Sequence, residues 1–150
     1  MFRQDRRVTD PAPEVDADAL FVYGTLMFPE VLEVLLGRTP EMAPAAVDGW
    51  RAAALVDRVY PGLVAVDGLM AAGHVLLGLD ADEHRILDAF EEETYERRAV
   101  VLADGRAAVT YVWVVADAVL PSDWDPAHFA TAELPRYVER WSSWRRSFSP

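Results

Sequence analysis

Glu91 stands out as a carboxylate with the placing of a general acid/base. It lies in the run Asp88–Val100, Asp-Ala-Phe-Glu-Glu-Glu-Thr-Tyr-Glu-Arg-Arg-Ala-Val. Asp80 and Glu83 have the spacing of a capping box and mark the start of a helix. Ile86, Leu87 and Phe90 share one face of that helix, and Glu91 follows Leu87 by one turn on the same inward side. Arg85, Asp88 and Glu92 fall on the solvated side. Burial disfavours an ionised carboxylate, and so does the negative end of a helix dipole. Both raise its pKa toward the range useful for proton transfer. The competing reading is a glutamate that caps the edge of the core and pairs with Arg97 or Arg98.

A second stretch suits anion binding. Ala19–Tyr23 is a compact apolar run that reads as a buried strand. Gly24 ends it, Thr25–Phe28 forms a loop, and Pro29 opens a helix with Val31, Leu32, Leu35 and Leu36 inward and Gly37 at its exit. Backbone N–H groups of such a loop can meet an anion. A glycine that only permits a sharp turn explains the same string.

Other chemistries find less support. His74, His84 and His128 lack paired metal-ligand spacing, and Glu91, Glu92 and Glu93 are consecutive, so they point in different directions. No metal or cofactor is expected. The chain has no cysteine, which removes thiol nucleophiles and disulfides. No serine sits in a nucleophile-elbow motif. A net charge of −11 argues against nucleic acid and acidic membrane surfaces as partners. No apolar run has transmembrane length and no h-region follows the basic N-terminus, so a cytoplasmic location is expected. The oligomeric state is left open.

The remaining elements must position Glu91 and the loop. The 150 residues, 52% of them apolar, suit one domain. Residues 1–18 read as a flexible arm, 19–145 as the domain and 146–150 as a tail. Residues 38–47 are expected as a loop with Pro40 and Pro44. Short strands punctuated by glycines are expected over 48–79, with a turn at Tyr60-Pro61-Gly62. Arg98–Leu102 and Ala107–Val115 form a hairpin about Asp104-Gly105. A loop at 116–125 precedes a terminal helix opened by Asp125-Pro126 and interrupted by Pro135. Trp141 and Trp144 are expected to pack on the core. The order indicates an α+β fold with a small mixed β-barrel and flanking helices.

Taken together, Tyr23-Gly24-Thr25-Leu26, then Leu87–Glu91 followed by Tyr95 and Arg97, resemble the gamma-glutamylcyclotransferase-like family, in its avirulence-induced-gene-like branch. Tyr60-Pro61-Gly62, Gly73–Leu79, Tyr111–Val114 and Trp124-Asp125 extend the resemblance over roughly Leu20 to Tyr137. It implies a cavity at the mouth of the barrel. Tyr23, Gly24, Thr25 and Leu26 would bind the α-amino-acid end of a small γ-glutamyl substrate, and Glu91 would be the catalytic residue. Tyr95 and Arg97 would shape the site. The implied reaction is a metal-independent cyclisation that releases 5-oxoproline and an amine, a transferase- or lyase-type activity. The alternatives are a non-catalytic ligand-binding or interaction module and an amide hydrolase. Phe28 replaces the family's usual aspartate before Pro29, which removes a cap and adds an apolar group near the pocket. Glu92 replaces a common glycine and adds negative charge beside Glu91.

Overall fold

A computed structural model describes residues 19–91 and 94–150. The expected arm at 1–18, together with Glu92 and Glu93, lies outside the described residues. The strands are β1 (Leu20–Val22), β2 (Glu41–Leu55), β3 (Gly62–Leu77), β4 (Tyr95–Val101), β5 (Ala107–Trp113) and β6 (Val119–Asp123). The helices are α1 (Pro29–Leu36), α2 (Ala81–Phe90), α3 (Pro126–Ala132) and α4 (Leu134–Ser147). The fold is α+β.

All six strands join one sheet in the order β4-β5-β1-β3-β2-β6. β1 runs antiparallel to β3 and parallel to β5. Leu20, Phe21 and Val22 are all buried because β1 is covered on both faces, which is why its sequence is apolar without alternation. On one face Leu20, Val22 and Leu76 pack with Val31, Leu32, Leu35, Ile86, Leu87 and Phe129 from the helices. On the other, Phe21, Tyr23, Val47, Leu63, Val75 and Val112 form a second core.

Among the described residues the sheet is open, which corrects the expected barrel. Its edge strands β4 and β6 are not paired to each other. β4 carries Glu96, Arg97 and Arg98, and β6 is five residues long and contains Pro121. Charge, shortness and a missing N–H all discourage edge pairing. Three further expectations change. The loop at 38–47 becomes strand from Glu41, and the short strands over 48–79 become two long ones, with a register shift between Asp48 and Trp50. Gly49 sits at that shift with φ 87°, where a side chain would be strained. The loop at 116–125 also contains β6.

The helices start where the sequence signals them. Asp80 accepts from the Glu83 N–H at 2.8 Å, and the Glu83 carboxylate accepts from the Asp80 N–H at 3.0 Å. Arg38 grips the same carboxylate through Nε at 2.7 Å and Nη2 at 2.8 Å, which holds it below the usual glutamate range. Asp80→Ala is expected to lower stability by about 1 kcal/mol, read as a reduced urea midpoint at unchanged m-value. Pro135 falls in the first turn of α4, and the break before it separates α3 from α4. α4 passes the expected domain end at 145 to reach Ser147. Phe148 then stacks on Trp144 at 5.0 Å between ring centres, and Arg145 Nε donates to the Leu35 carbonyl at 2.7 Å. These contacts fix α4 against the end of α1.

Candidate active site

The C-terminal end of β1, the C-terminal end of α2 and the middle of α4 surround one open-mouthed cavity of about 480 Å³, open space at its mouth included. Tyr23, Gly24, Thr25 and Leu26 line it from the loop, Phe90 and Glu91 from the end of α2, and Tyr95 from β4. Six of the seven site residues expected from sequence therefore meet in one place. Tyr60, Pro61, Tyr111, Tyr137 and Trp141 complete most of the wall. None of these five had a local signal beyond a turn or an apolar run, because the strand register and the docking of α4 place them.

Glu91 is the C-cap of α2, and its N–H bonds to the Leu87 carbonyl at 3.1 Å. The backbone turns extended at that residue, with φ −75° and ψ 144°, and so leads the chain toward β4. The competing ion-pair reading fails among the described residues. Arg97 pairs with Asp88 at 3.0 Å and Arg98 with Glu96, and neither engages Glu91. Burial, and then the nearby Asp88 charge, raise the Glu91 pKa from about 4.5 to about 8. At neutral pH most of it is protonated, and a modest rise in pH frees a strong carboxylate base.

The loop holds a different kind of group. Residues Thr25–Met27 form one 3₁₀ turn, closed by Met27 N–H to the Gly24 carbonyl at 3.0 Å and Phe28 N–H to the Thr25 carbonyl at 3.2 Å. Among the described residues, the N–H groups of Gly24, Thr25 and Leu26 donate to no backbone carbonyl. Buried amides without partners are uncommon, and three in succession beside a cavity suit an anion. Thr25 Oγ1 and the Tyr137 hydroxyl lie 3.1 Å apart and tie the loop to α4. Phe28 does not line the cavity. It packs on Phe129 with ring centres 5.2 Å apart and has no side-chain cap to offer α1.

Tyrosine hydroxyls brace the walls. Tyr23 donates to the Tyr111 carbonyl at 2.6 Å, and Tyr95 to the Pro61 carbonyl at 2.6 Å. The Tyr111 hydroxyl donates to Asp88, which also takes Arg97. Arg97 and Tyr111 face each other across the β4–β5 pair, so Asp88 clamps a cross-strand pair to α2. Arg97 thus lies outside the cavity wall and acts through Asp88 and Tyr111. Burial raises the pKa of Tyr23, Tyr111 and Tyr137, and the charge of Glu91 reinforces each rise. All three stay neutral hydroxyls over the working pH range. Among the described residues, no three histidine or acidic side chains gather in a way that would hold a metal ion. No helix among them is long and apolar enough to cross a membrane.

The family model described as gamma-glutamyl cyclotransferase, AIG2-like, matches residues 20–128. The chain belongs to this family. AIG2-like protein A of Arabidopsis thaliana is 32% identical over 126 residues, which span 80% of this chain and 76% of that protein. The solution structure of an Arabidopsis thaliana protein superposes with a TM-score of 0.62 at 31% identity, over 82% of this chain and 87% of that one. A solved gamma-glutamyl cyclotransferase shares the fold, with a TM-score of 0.51 at 10% identity over 88% of each chain. The AIG2-like match contains the loop, Glu91, Tyr95, Arg97 and Tyr111, and ends before α4 begins.

Proposed function

We propose that the protein cleaves γ-glutamyl amides by cyclisation, releasing 5-oxoproline and a free amine. The observation that carries this reading is a buried carboxyl with a pKa near 8 that shares one cavity with a loop whose N–H groups, among the described residues, donate to no backbone carbonyl. The ionised Glu91 carboxylate takes a proton from the substrate's α-ammonium. The freed amine nitrogen attacks the γ-carbonyl carbon of the same molecule and closes a five-membered ring. Glu91, now a carboxylic acid, returns the proton to the departing nitrogen as its C–N bond breaks, and its regenerated carboxylate takes the second proton from the ring nitrogen and passes it to the amine, leaving a neutral lactam and an ammonium product. Because nucleophile and electrophile belong to one molecule, the ring closure draws on a high effective molarity. The N–H groups of Gly24, Thr25 and Leu26 bind the α-carboxylate and fix the reacting conformer.

The test is a mass-spectrometric product assay over a panel of γ-glutamyl amides. 5-Oxoproline together with the free amine supports cyclisation. Free glutamate replaces it if water is the nucleophile, and binding without any product makes the cavity a ligand-binding module. The same assay gives a pH prediction. kcat/KM is expected to rise with pH and level off above about 8, the Glu91 value. An acid limb near the ordinary glutamate value would remove Glu91 as the titrating base.

A further inference from the structure

Arg140 is distinguished by what it lacks. Among the described residues, every other arginine donates a hydrogen bond to a carboxylate, carbonyl or hydroxyl oxygen. Among those residues Arg140 donates to none, and none of their carboxylates lies within ion-pair distance of it. Its guanidinium rests over the Trp141 ring, 5.5 Å from the centroid, and Trp141 lines the cavity. Tyr137, Arg140, Trp141 and Trp144 recur at helical spacing along α4, so the cation borders the face turned to the cavity. Its charge also reaches inside, where it counteracts the burial that raises the Tyr137 pKa.

The rest of the wall is aromatic or neutral apart from Glu91, and Arg97 is already committed to Asp88. A substrate with a second negative charge would meet the field of Glu91 and Asp88 in a chain of net charge −11. Only a local cation offsets that field. A guanidinium lying over an indole keeps N–H groups free for a carboxylate, in the paired geometry that favours arginine over lysine.

We propose that Arg140 is a specificity-determining residue that binds a carboxylate on the amine portion of the substrate. The substrate class is then γ-glutamyl derivatives of acid-bearing amines, their apolar parts lying on Trp141. The proposal rests on the cyclotransferase reading and adds the leaving group to it. The loop N–H groups already serve the α-carboxylate, which leaves Arg140 for the second one. α4 lies beyond the segment matched by the family model.

The test compares γ-glutamylglycine with γ-glutamylglycinamide, which differ only in that carboxylate. For Arg140→Gln, KM for γ-glutamylglycine is expected to rise on the order of tenfold with kcat nearly kept, and KM for the amide to stay unchanged. Arg140→Lys should restore part of the loss, and Arg136→Gln, on the same helix, should change neither substrate. Equal effects on both substrates, or none on either, overturn the proposal. Absence of 5-oxoproline from both would refute the cyclotransferase reading itself. Calorimetric binding of the same pair then decides the role of Arg140. A preference for the acid that disappears in Arg140→Gln supports it, and equal affinities overturn it.

Discussion

Glu91→Gln is expected to reduce 5-oxoproline formation by at least about 10³-fold while making the protein more stable in alkaline solution. The two effects have one cause. In the unfolded chain the carboxyl ionises near 4.5, and in the folded protein near 8. Below the lower value both states are protonated and the group contributes nothing to the pH dependence. Between the two values the folded state binds the extra proton, so stability falls as pH rises, by about 1.4 kcal/mol per pH unit. Above about 8 the full penalty is present, on the order of 5 kcal/mol. Glutamine fills the same volume without ionising, so its variant escapes this loss. Urea unfolding at pH 5 and pH 9 measures the difference. The variant should gain on the wild type by a few kcal/mol between those pH values. An equal pH dependence of the two proteins would place the Glu91 carboxyl in water and undercut its role as a tuned base. The Arg97–Asp88 bond, with both side chains more than a third exposed, should contribute little to the same profile.

What the sequence made legible follows the range of the forces involved. The Asp80–Glu83 box, Ile86, Leu87, Phe90 and Glu91 lie within a few turns of one helix, and helical spacing alone places them. The strand–glycine–helix unit from Leu20 to Gly37 is equally local, and Gly37 leaves α1 in the left-handed region with φ 77°. Arg38 and Glu83 are 45 residues apart, and no local pattern pairs them. Tyr111 illustrates the same limit. Its place in a valine-rich strand was plain, but its hydroxyl reaches Asp88 only because β5 lies between β1 and β4. Pro44 misled for a physical reason. Prolines inside strands are rare, yet Pro44 faces His74 of β3 on one side while β6 joins β2 only near Ala53 and Leu55 on the other. A position paired on one side tolerates a missing N–H. The expected barrel failed on the same kind of information, since closure is decided at the edges and not by the strand content.

Gly24 combines both kinds of information, and Gly24→Ala is the second change expected to have a large effect. Space requires glycine there. A Cβ at Gly24 would lie 2.7 Å from Pro61 Cγ and 2.8 Å from Pro61 Cδ. The proline ring would have to move, and its carbonyl holds the Tyr95 hydroxyl. Displacing Pro61 by a fraction of an ångström would therefore shift Tyr95 and open the wall opposite the loop. The expected result is a folded protein with kcat/KM reduced on the order of 10²-fold, since small misplacements of a reacting pair carry penalties of that size. Gly73→Ala provides the contrast. Its Cβ would lie 2.2 Å from the Val22 carbonyl oxygen, inside the β1–β3 pairing, where only backbone can yield. That variant should lose about 3 kcal/mol or more of stability. Circular dichroism melts beside product assays separate the two. Gly24→Ala should retain most of its melting temperature and lose turnover, whereas Gly73→Ala should lose the melting temperature first. Full turnover in Gly24→Ala would mean that the loop and the Pro61 wall adjust independently, and that the tight fit between them is not what aligns the substrate with Glu91.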